Sequence, residues 1–200
     1  MTDHAAPEPP AAEPQRGTAL GGTEAAVMPL LVVTAGLPAT GKSTIAEVIG
    51  NRLGLPVLSV DPIEAAILSA GIDSAQPTGL AAYLVAETMA EGVLSGGRGV
   101  VIDAVNAVEP AREQWVKLAA RQNVTLRFIE VICSDPEVHR ERLAARAGRH
   151  AVIDTAYAVE QSLEEWEPWT GESAAVPRVT LDSVRPLGVN IEQALGFLSS

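Results

Sequence analysis

Apolar positions along the chain fall into two alternating patterns. Leu30-Leu31-Val32-Val33-Thr34-Ala35 is a short run rich in β-branched residues, as expected of a strand covered on both faces. After a glycine-rich turn, Ile45, Val48, Ile49 and Leu53 recur at helical spacing over residues 43–53, and Gly54 supplies a stop signal. The alternation repeats, with strands predicted over 56–60, 100–103, 124–133 and 178–181. Helices are predicted from 62, from about 78, and over 109–122, 136–147, 155–166 and 189–198. Strand and helix in strict succession imply an α/β domain: a parallel sheet with right-handed crossovers and helices on both faces. No internal repeat appears. Residues 1–27, rich in Ala, Pro, Glu and Gly with no sustained period, read as a disordered tail preceding a domain over 28–200.

The turn after the first strand carries the most specific chemistry. Gly36-Leu37-Pro38-Ala39-Thr40-Gly41-Lys42-Ser43 satisfies the Walker A spacing. Glycines let the backbone curl so that successive N–H groups form an anion nest, and the following helix adds its positive N-terminal end. Lys42 can set a point charge on the β- and γ-phosphates, the Ser43 hydroxyl is the expected Mg2+ ligand, and Thr44 can reach the α-phosphate. A glycine-rich turn that binds nothing is the bland alternative. The strand before the motif and the amphipathic helix after it argue against that alternative.

Composition narrows the partners. The chain carries 25 acidic and 14 basic side chains, a net charge of -11, so its field repels polyanions and disfavours nucleic acid. Cys133 is the only cysteine, which excludes an intrachain disulfide and suits the cytoplasm. No signal-peptide pattern opens the chain, and no run approaches the roughly 20 apolar residues of a membrane span. No residue pattern sets an oligomeric state.

Three further segments stand in a telling order: Leu58-Ser59-Val60-Asp61, Val100-Val101-Ile102-Asp103-Ala104-Val105-Asn106, and Arg142-Leu143-Ala144-Ala145-Arg146. With the loop from Gly36 to Thr44, they make residues 30 to the C-terminus resemble the P-loop kinases of polynucleotide kinase, chloramphenicol phosphotransferase and zeta-toxin type, often grouped as an AAA-like family. The resemblance implies a P-loop NTPase fold, a three-layer α/β/α sandwich around a five-stranded parallel sheet in the order 2-3-1-4-5, with a helical lid over about 140–168. It implies ATP and Mg2+ as cofactors and transfer of the γ-phosphoryl group to a hydroxyl of a small-molecule acceptor. It also places the loop over 181–186 beside the adenine.

Asp61 then corresponds to the general base. The rival reading makes Asp61 an N-cap, with Pro62 at the first helical position and Glu64 closing a capping box. Asp103 ends an apolar strand beside the expected P-loop strand, where a carboxylate can orient Mg2+ jointly with Ser43, although it could also cap the next segment. Asn106 is either a substrate contact or a turn residue. Arg142 and Arg146, four apart, share a helix face that could close over the triphosphate, or they belong to an ordinary solvated helix. Relatives of polynucleotide kinase carry Arg three residues after the aspartate where this chain has Glu64, which disfavours a phosphorylated acceptor. Trp166 and Trp169 either wall an acceptor pocket or pack, and Cys133 reads as inert core. A nucleotide-binding regulatory module or slow NTPase is the competing function class, since a switch needs the loop and the metal but no acceptor-facing base.

Overall fold

A computed structural model describes residues 28–147 and 166–200. The predicted tail over 1–27, the middle of the predicted lid and nearly all of the helix expected over 155–166 lie outside the described residues. Five strands, β1 (Leu30–Ala35), β2 (Val57–Ser59), β3 (Val100–Asp103), β4 (Thr125–Ile132) and β5 (Arg178–Asp182), form one sheet in the order β2-β3-β1-β4-β5. Every pairing is parallel, with Val32 opposite both Val101 and Arg127, Ser59 opposite Asp103, and Ile132 opposite Asp182. This is the strand order that the resemblance implies.

Six α-helices accompany the sheet among the described residues: α1 (Lys42–Leu53), α2 (Val60–Ser69), α3 (Thr78–Ser95), α4 (Glu109–Gln122), α5 (Pro136–Ala147) and α6 (Leu187–Leu198). Successive strand side chains point to opposite faces, so each strand feeds two cores. Leu31, Val33, Val100, Ile102, Leu126 and Phe128 meet α3 and α4 through Ala82, Ala86, Ala90, Trp115 and Leu118. Val32, Val101, Ile129, Val131 and Leu181 meet α1 and α6 through Ile45, Ile49, Ile191 and Ala194. Burial on both faces explains the unbroken apolar runs of β1 and β3.

Parallel pairing puts the carboxyl ends of all five strands on one edge, where α/β proteins place their ligands. The loops after Ala35, Ser59, Asp103, Ile132 and Asp182 therefore open onto a common cleft.

Several local expectations are corrected. β2 ends at Ser59 and α2 starts at Val60, so Asp61 lies in the first helical turn, not at a strand end or an N-cap. Ser59 is the N-cap residue. No capping box closes, because Glu64 accepts a hydrogen bond from Thr78 Oγ1 (2.8 Å) and ties α2 to α3. Leu53 is exposed and Gly50 takes its place in the core, since α1 packs closely against Val57. Cys133 lies one residue past β4, partly exposed, and is not core.

Candidate nucleotide site

The loop after β1 is held open by its own backbone. Gly36 has φ 147°, its N–H donates to Val105 O (3.0 Å), and a Cβ there would sit 2.2 Å from Val131 O. Only glycine fits. Leu37 O gathers the Thr40 N–H (3.3 Å), the Thr40 hydroxyl (2.8 Å) and the Lys42 ammonium (3.0 Å). Ala39 and Gly41 both adopt positive φ (62° and 98°), completing the curl. The first intrahelical bond of α1 runs from Ile45 N–H to Gly41 O (3.2 Å), so helical geometry leaves the amides of Lys42, Ser43 and Thr44 to an outside acceptor.

Lys42 is buried, and its environment defines the site. Burial pushes its ammonium pKa down, Asp61 and Asp103 pull it back up, and Arg146 lowers it again. Lys42, Asp61, Asp103 and Arg146, predicted from four separate segments, thus lie near enough for the other three to act on the Lys42 charge, and Lys42 and Arg146 line one cavity. Arg146 Nη2 donates to Asp61 Oδ2 at 2.5 Å, with both side chains partly exposed. Asp103 is buried and accepts from Ser59 Oγ (3.0 Å). The Ser43 hydroxyl stands exposed at the start of α1.

Arg142 points elsewhere than Arg146. It donates to Ser183 Oγ (2.7 Å) and Ser183 O (3.2 Å), bridging α5 to the loop after β5. Two cavities meet there. One, about 310 Å³, lies between Thr44, Arg142, Ser183, Arg185 and Asn190. Its wall includes Asn190, whose Nδ2 donates to Asp182 O (2.8 Å) while its buried Oδ1 lacks a hydrogen-bond partner. The other, about 290 Å³, is lined by Lys42, Ser43, Thr44, Arg142 and Arg146. Ala39, Gly41, Thr44 and Arg142 border both, so the two spaces adjoin along the loop. The donor set, with amides, ammonium and guanidinium groups facing one cavity, fits a polyphosphate. Exposed Ser43 and buried Asp103 fit a hard cation that takes most of its oxygens from phosphates and water. No cluster of three or more His, Cys, Asp or Glu that could hold a metal occurs among the described residues.

A third space of about 160 Å³ lies on the other flank of the loop, among Leu37, Thr40, Glu130, Cys133, His139 and Trp166. His139 Nε2 meets Pro38 O at 2.8 Å and anchors α5 to the loop.

Sequence reasoning missed the support behind the cleft. Arg112 is fully buried and donates to Asn106 O (2.8 Å), Ala107 O (2.7 Å), Glu167 O (2.8 Å) and Pro168 O (3.1 Å). Its guanidinium stacks 4.2 Å from the Trp169 ring centroid and 5.0 Å from that of Trp166. Trp169 in turn packs edge-on against Phe128 at 5.0 Å and donates to Glu130 Oε1 (2.9 Å). The tryptophans are thus packed around a buried arginine, and Trp166 also borders the third cavity. Asn106, at φ 49°, donates through Nδ2 to Thr34 O (2.7 Å), accepts from Trp115 Nε1 (3.0 Å), and sends its N–H to Tyr83 Oη (3.0 Å). That network holds the backbone just beyond Asp103. Helical spacing of Arg112 with Trp115, Leu118 and Ala119 was the available signal, because it puts a charge on the buried stripe of α4.

With the geometry in place, comparison with known proteins decides the family. The AAA domain model matches residues 31–168, more than half of the chain and from the second residue of β1 to Pro168 beside Arg112. The chain belongs to the AAA domain family. Uncharacterized proteins of Mycobacterium tuberculosis and Mycobacterium bovis align with it over 162 residues at 28% identity, covering 74% of this chain and 32% of theirs. The AAA domain chain therefore spans about a third of the length of these curated relatives. Among solved structures, Chaetomium thermophilum Kti12 in complex with ADP-AlF3 superposes with a TM-score of 0.67 at 19% identity, covering 85% of this chain and 100% of that one. A sugar kinase from Janibacter sp. gives 0.63 at 18% identity over 86% and 95%. A gluconokinase from Sinorhizobium meliloti gives 0.61 at 21% over 86% and 93%. These likenesses establish the P-loop kinase fold of this AAA domain protein. No described helix is long and apolar enough to cross a membrane.

Proposed function

We propose that this chain is a P-loop phosphotransferase that moves the γ-phosphoryl group of ATP, bound with Mg2+, to a hydroxyl of a small-molecule acceptor. The observation that carries the reading is that Asp61, Asp103 and Arg146 all lie near enough to act on Lys42, the lysine of the loop. A nucleotide switch needs the loop and a metal carboxylate, but not a second carboxylate in the cleft. The kinases of the same fold support the class of reaction by analogy.

Phosphoryl transfer asks the protein chiefly for position and charge. The loop amides and Lys42 hold the β- and γ-phosphates, and Lys42 leaves Leu37 O to do so. Ser43 and Asp103 would hold Mg2+, which when bound neutralises charge on the phosphate oxygens. Asp61 takes the proton from the acceptor hydroxyl as its oxygen bonds to the γ-phosphorus and the bond to the β,γ-bridging oxygen breaks, releasing ADP. Arg146 must swing from Asp61 toward the phosphates for that carboxylate to act. Arg142, already bordering both cavities, neutralises charge as ADP departs and helps to exclude water.

The acceptor is uncharged or amine-bearing on this account, because Asp61, Glu64 and the net charge of -11 oppose an anionic one. The resting pair between Asp61 and Arg146 favours a second reading, a slow NTPase in which the aspartate stays latched. ADP release from Mg-ATP, screened against aminoglycosides, nucleosides, sugars, nucleotide sugars and 5'-hydroxyl oligonucleotides with Lys42→Ala as the blank, separates the two. Stimulation by one acceptor class that vanishes in the blank supports the kinase. A flat panel with tight ATP binding supports the second reading.

A further inference from the structure

The first turn of α6 holds a polar side chain of which the fold uses only half. Asn190 is 2% exposed, on a helix whose other buried positions, Ile191 and Ala194, are apolar. Its Nδ2 donates to Asp182 O at 2.8 Å, which ties the start of α6 to the last residue of β5. That bond pins one prong of the amide. The other prong, Oδ1, is buried and accepts from nothing among the described residues. A buried oxygen with idle lone pairs is costly. The tie to β5 needs a donor alone, so the oxygen is the part that the fold leaves unexplained.

Asn190 lines the cavity of about 310 Å³ that borders the phosphate loop through Gly41 and Thr44. That volume lies at the lower end of small-molecule pockets, which run from about 300 to 1,000 Å³. The other polar side chains around it are guanidinium or hydroxyl groups. Arg142 is bound to Ser183 Oγ, and Arg185 Nη1 donates to Gln193 Oε1 at 3.0 Å. Asn190 therefore supplies the only amide or carboxylate oxygen among the lining side chains, and a ligand seated against the loop meets one pinned acceptor. Guanine turns two adjacent N–H groups outward, a match for both oxygens of a carboxylate. Adenine offers a single amine beside a ring acceptor, a match for one amide oxygen.

We propose that Asn190 Oδ1 accepts a hydrogen bond from the exocyclic amine of adenine and thereby sets the base specificity of the nucleotide site. The inference rests on the reading of the loop as a nucleotide site, but not on transfer to an acceptor. It puts base recognition on a side chain of α6, beyond the loop over 181–186.

Titration calorimetry of the full chain compares Mg-ADP, Mg-GDP and the Mg2+ complex of purine riboside 5'-diphosphate, which lacks the amine. Wild type is set beside Asn190→Leu, Asn190→Ala and Asn190→Asp, with thermal melts as the folding control. Wild type should bind Mg-ADP at least about tenfold tighter than either other diphosphate, the worth of one hydrogen bond to an otherwise unsatisfied buried oxygen. In Asn190→Leu the preference should shrink to within about twofold; Asn190→Ala makes the same test if the leucine variant fails to fold. Asn190→Asp keeps an oxygen and loses the donor to Asp182 O, so it should still favour Mg-ADP over the amine-free diphosphate, although its charge weakens all three. A residue that only ties α6 to β5 would shift the three ligands together, and unchanged ratios in the leucine and alanine variants overturn the proposal. So does a wild-type chain that binds Mg-GDP or the amine-free diphosphate as tightly as Mg-ADP, or an aspartate variant that loses the preference. Adenine preference alongside a flat acceptor panel upholds this inference and refutes the kinase reading, whereas a chain that binds none of the three overturns both.

Discussion

Arg112→Met is the perturbation whose consequence the structure specifies most fully. The methionine fills the volume between Trp166 and Trp169 but donates nothing, so the carbonyls of Asn106, Ala107, Glu167 and Pro168 lose their shared donor at once. Hydrogen bonds to a charged group contribute about 1.5–3 kcal/mol each. Their sum overstates the effect, because removing the guanidinium also removes its desolvation cost, and burial already presses its pKa down against the pull of Glu109. Breaking a buried charged site by deleting one partner typically costs about 3–5 kcal/mol, and Glu109, 3.6 Å away, is left as the uncompensated partner. At about 2–4 °C per kcal/mol for a domain of this size, the melting temperature should fall by roughly 10 °C. Arg112→Lys keeps the charge but not the planar fork that reaches four carbonyls, so it should recover less than half of the loss. Urea unfolding and thermal melts of the three proteins provide the assay. An Arg112→Met protein melting within about 2 °C of wild type, less than the shift from 1 kcal/mol, would refute the view that this arginine clamps the backbone beyond Asp103 to the segment at 166–169.

Two other outcomes follow from local geometry. Gly36→Ala drives a methyl group into Val131 O, so nucleotide affinity, read by titration calorimetry with Mg-ADP, should fall at least about tenfold, the loss of one hydrogen bond to a charged phosphate at about 1.5–3 kcal/mol; affinity within threefold of wild type would contradict the loop geometry. For Asp182, desolvation pushes the carboxyl pKa up, but the Ser134 and Val184 hydrogen bonds and Arg185 outweigh it and hold the folded value below the ordinary one. A depressed carboxylate pKa stabilises the fold above the unfolded value near about 3.9 and loses that contribution as pH falls through the folded value. The melting-temperature gap between wild type and Asp182→Asn should therefore be flat from about pH 5 to 8 and close below about pH 4.

Much of this architecture was legible because its causes are local. Two-faced burial writes apolar runs into β1 and β3, and the phosphate loop needs glycines at fixed spacing whatever surrounds it. Asp61 was harder to place. Whether Val60 and Asp61 extend β2 or begin α2 depends on the docking of α2 against α3 through Glu64 and Thr78, a contact fourteen residues apart. Arg112 was missed because its acceptors include Glu167 and Pro168, more than fifty residues away, and nothing near α4 announces them. Cys133 was misread because an apolar strand does not reveal which residue first emerges at the cleft. Arg142 and Arg146 share a helix face as their spacing implies, yet their partners, Ser183 and Asp61, come from opposite sides of the sheet.

The kinase reading proposed above rests on Asp61 serving an acceptor. Its most direct test compares wild type with Asp61→Asn for acceptor-stimulated ADP release, with Mg-ATP affinity measured in parallel by calorimetry. The variant should lose acceptor-dependent turnover by at least about 100-fold, the usual worth of a general base, while ATP affinity stays within a few-fold of wild type. Undiminished turnover in Asp61→Asn would contradict it, leaving Asp61 as a side chain that only positions Arg146.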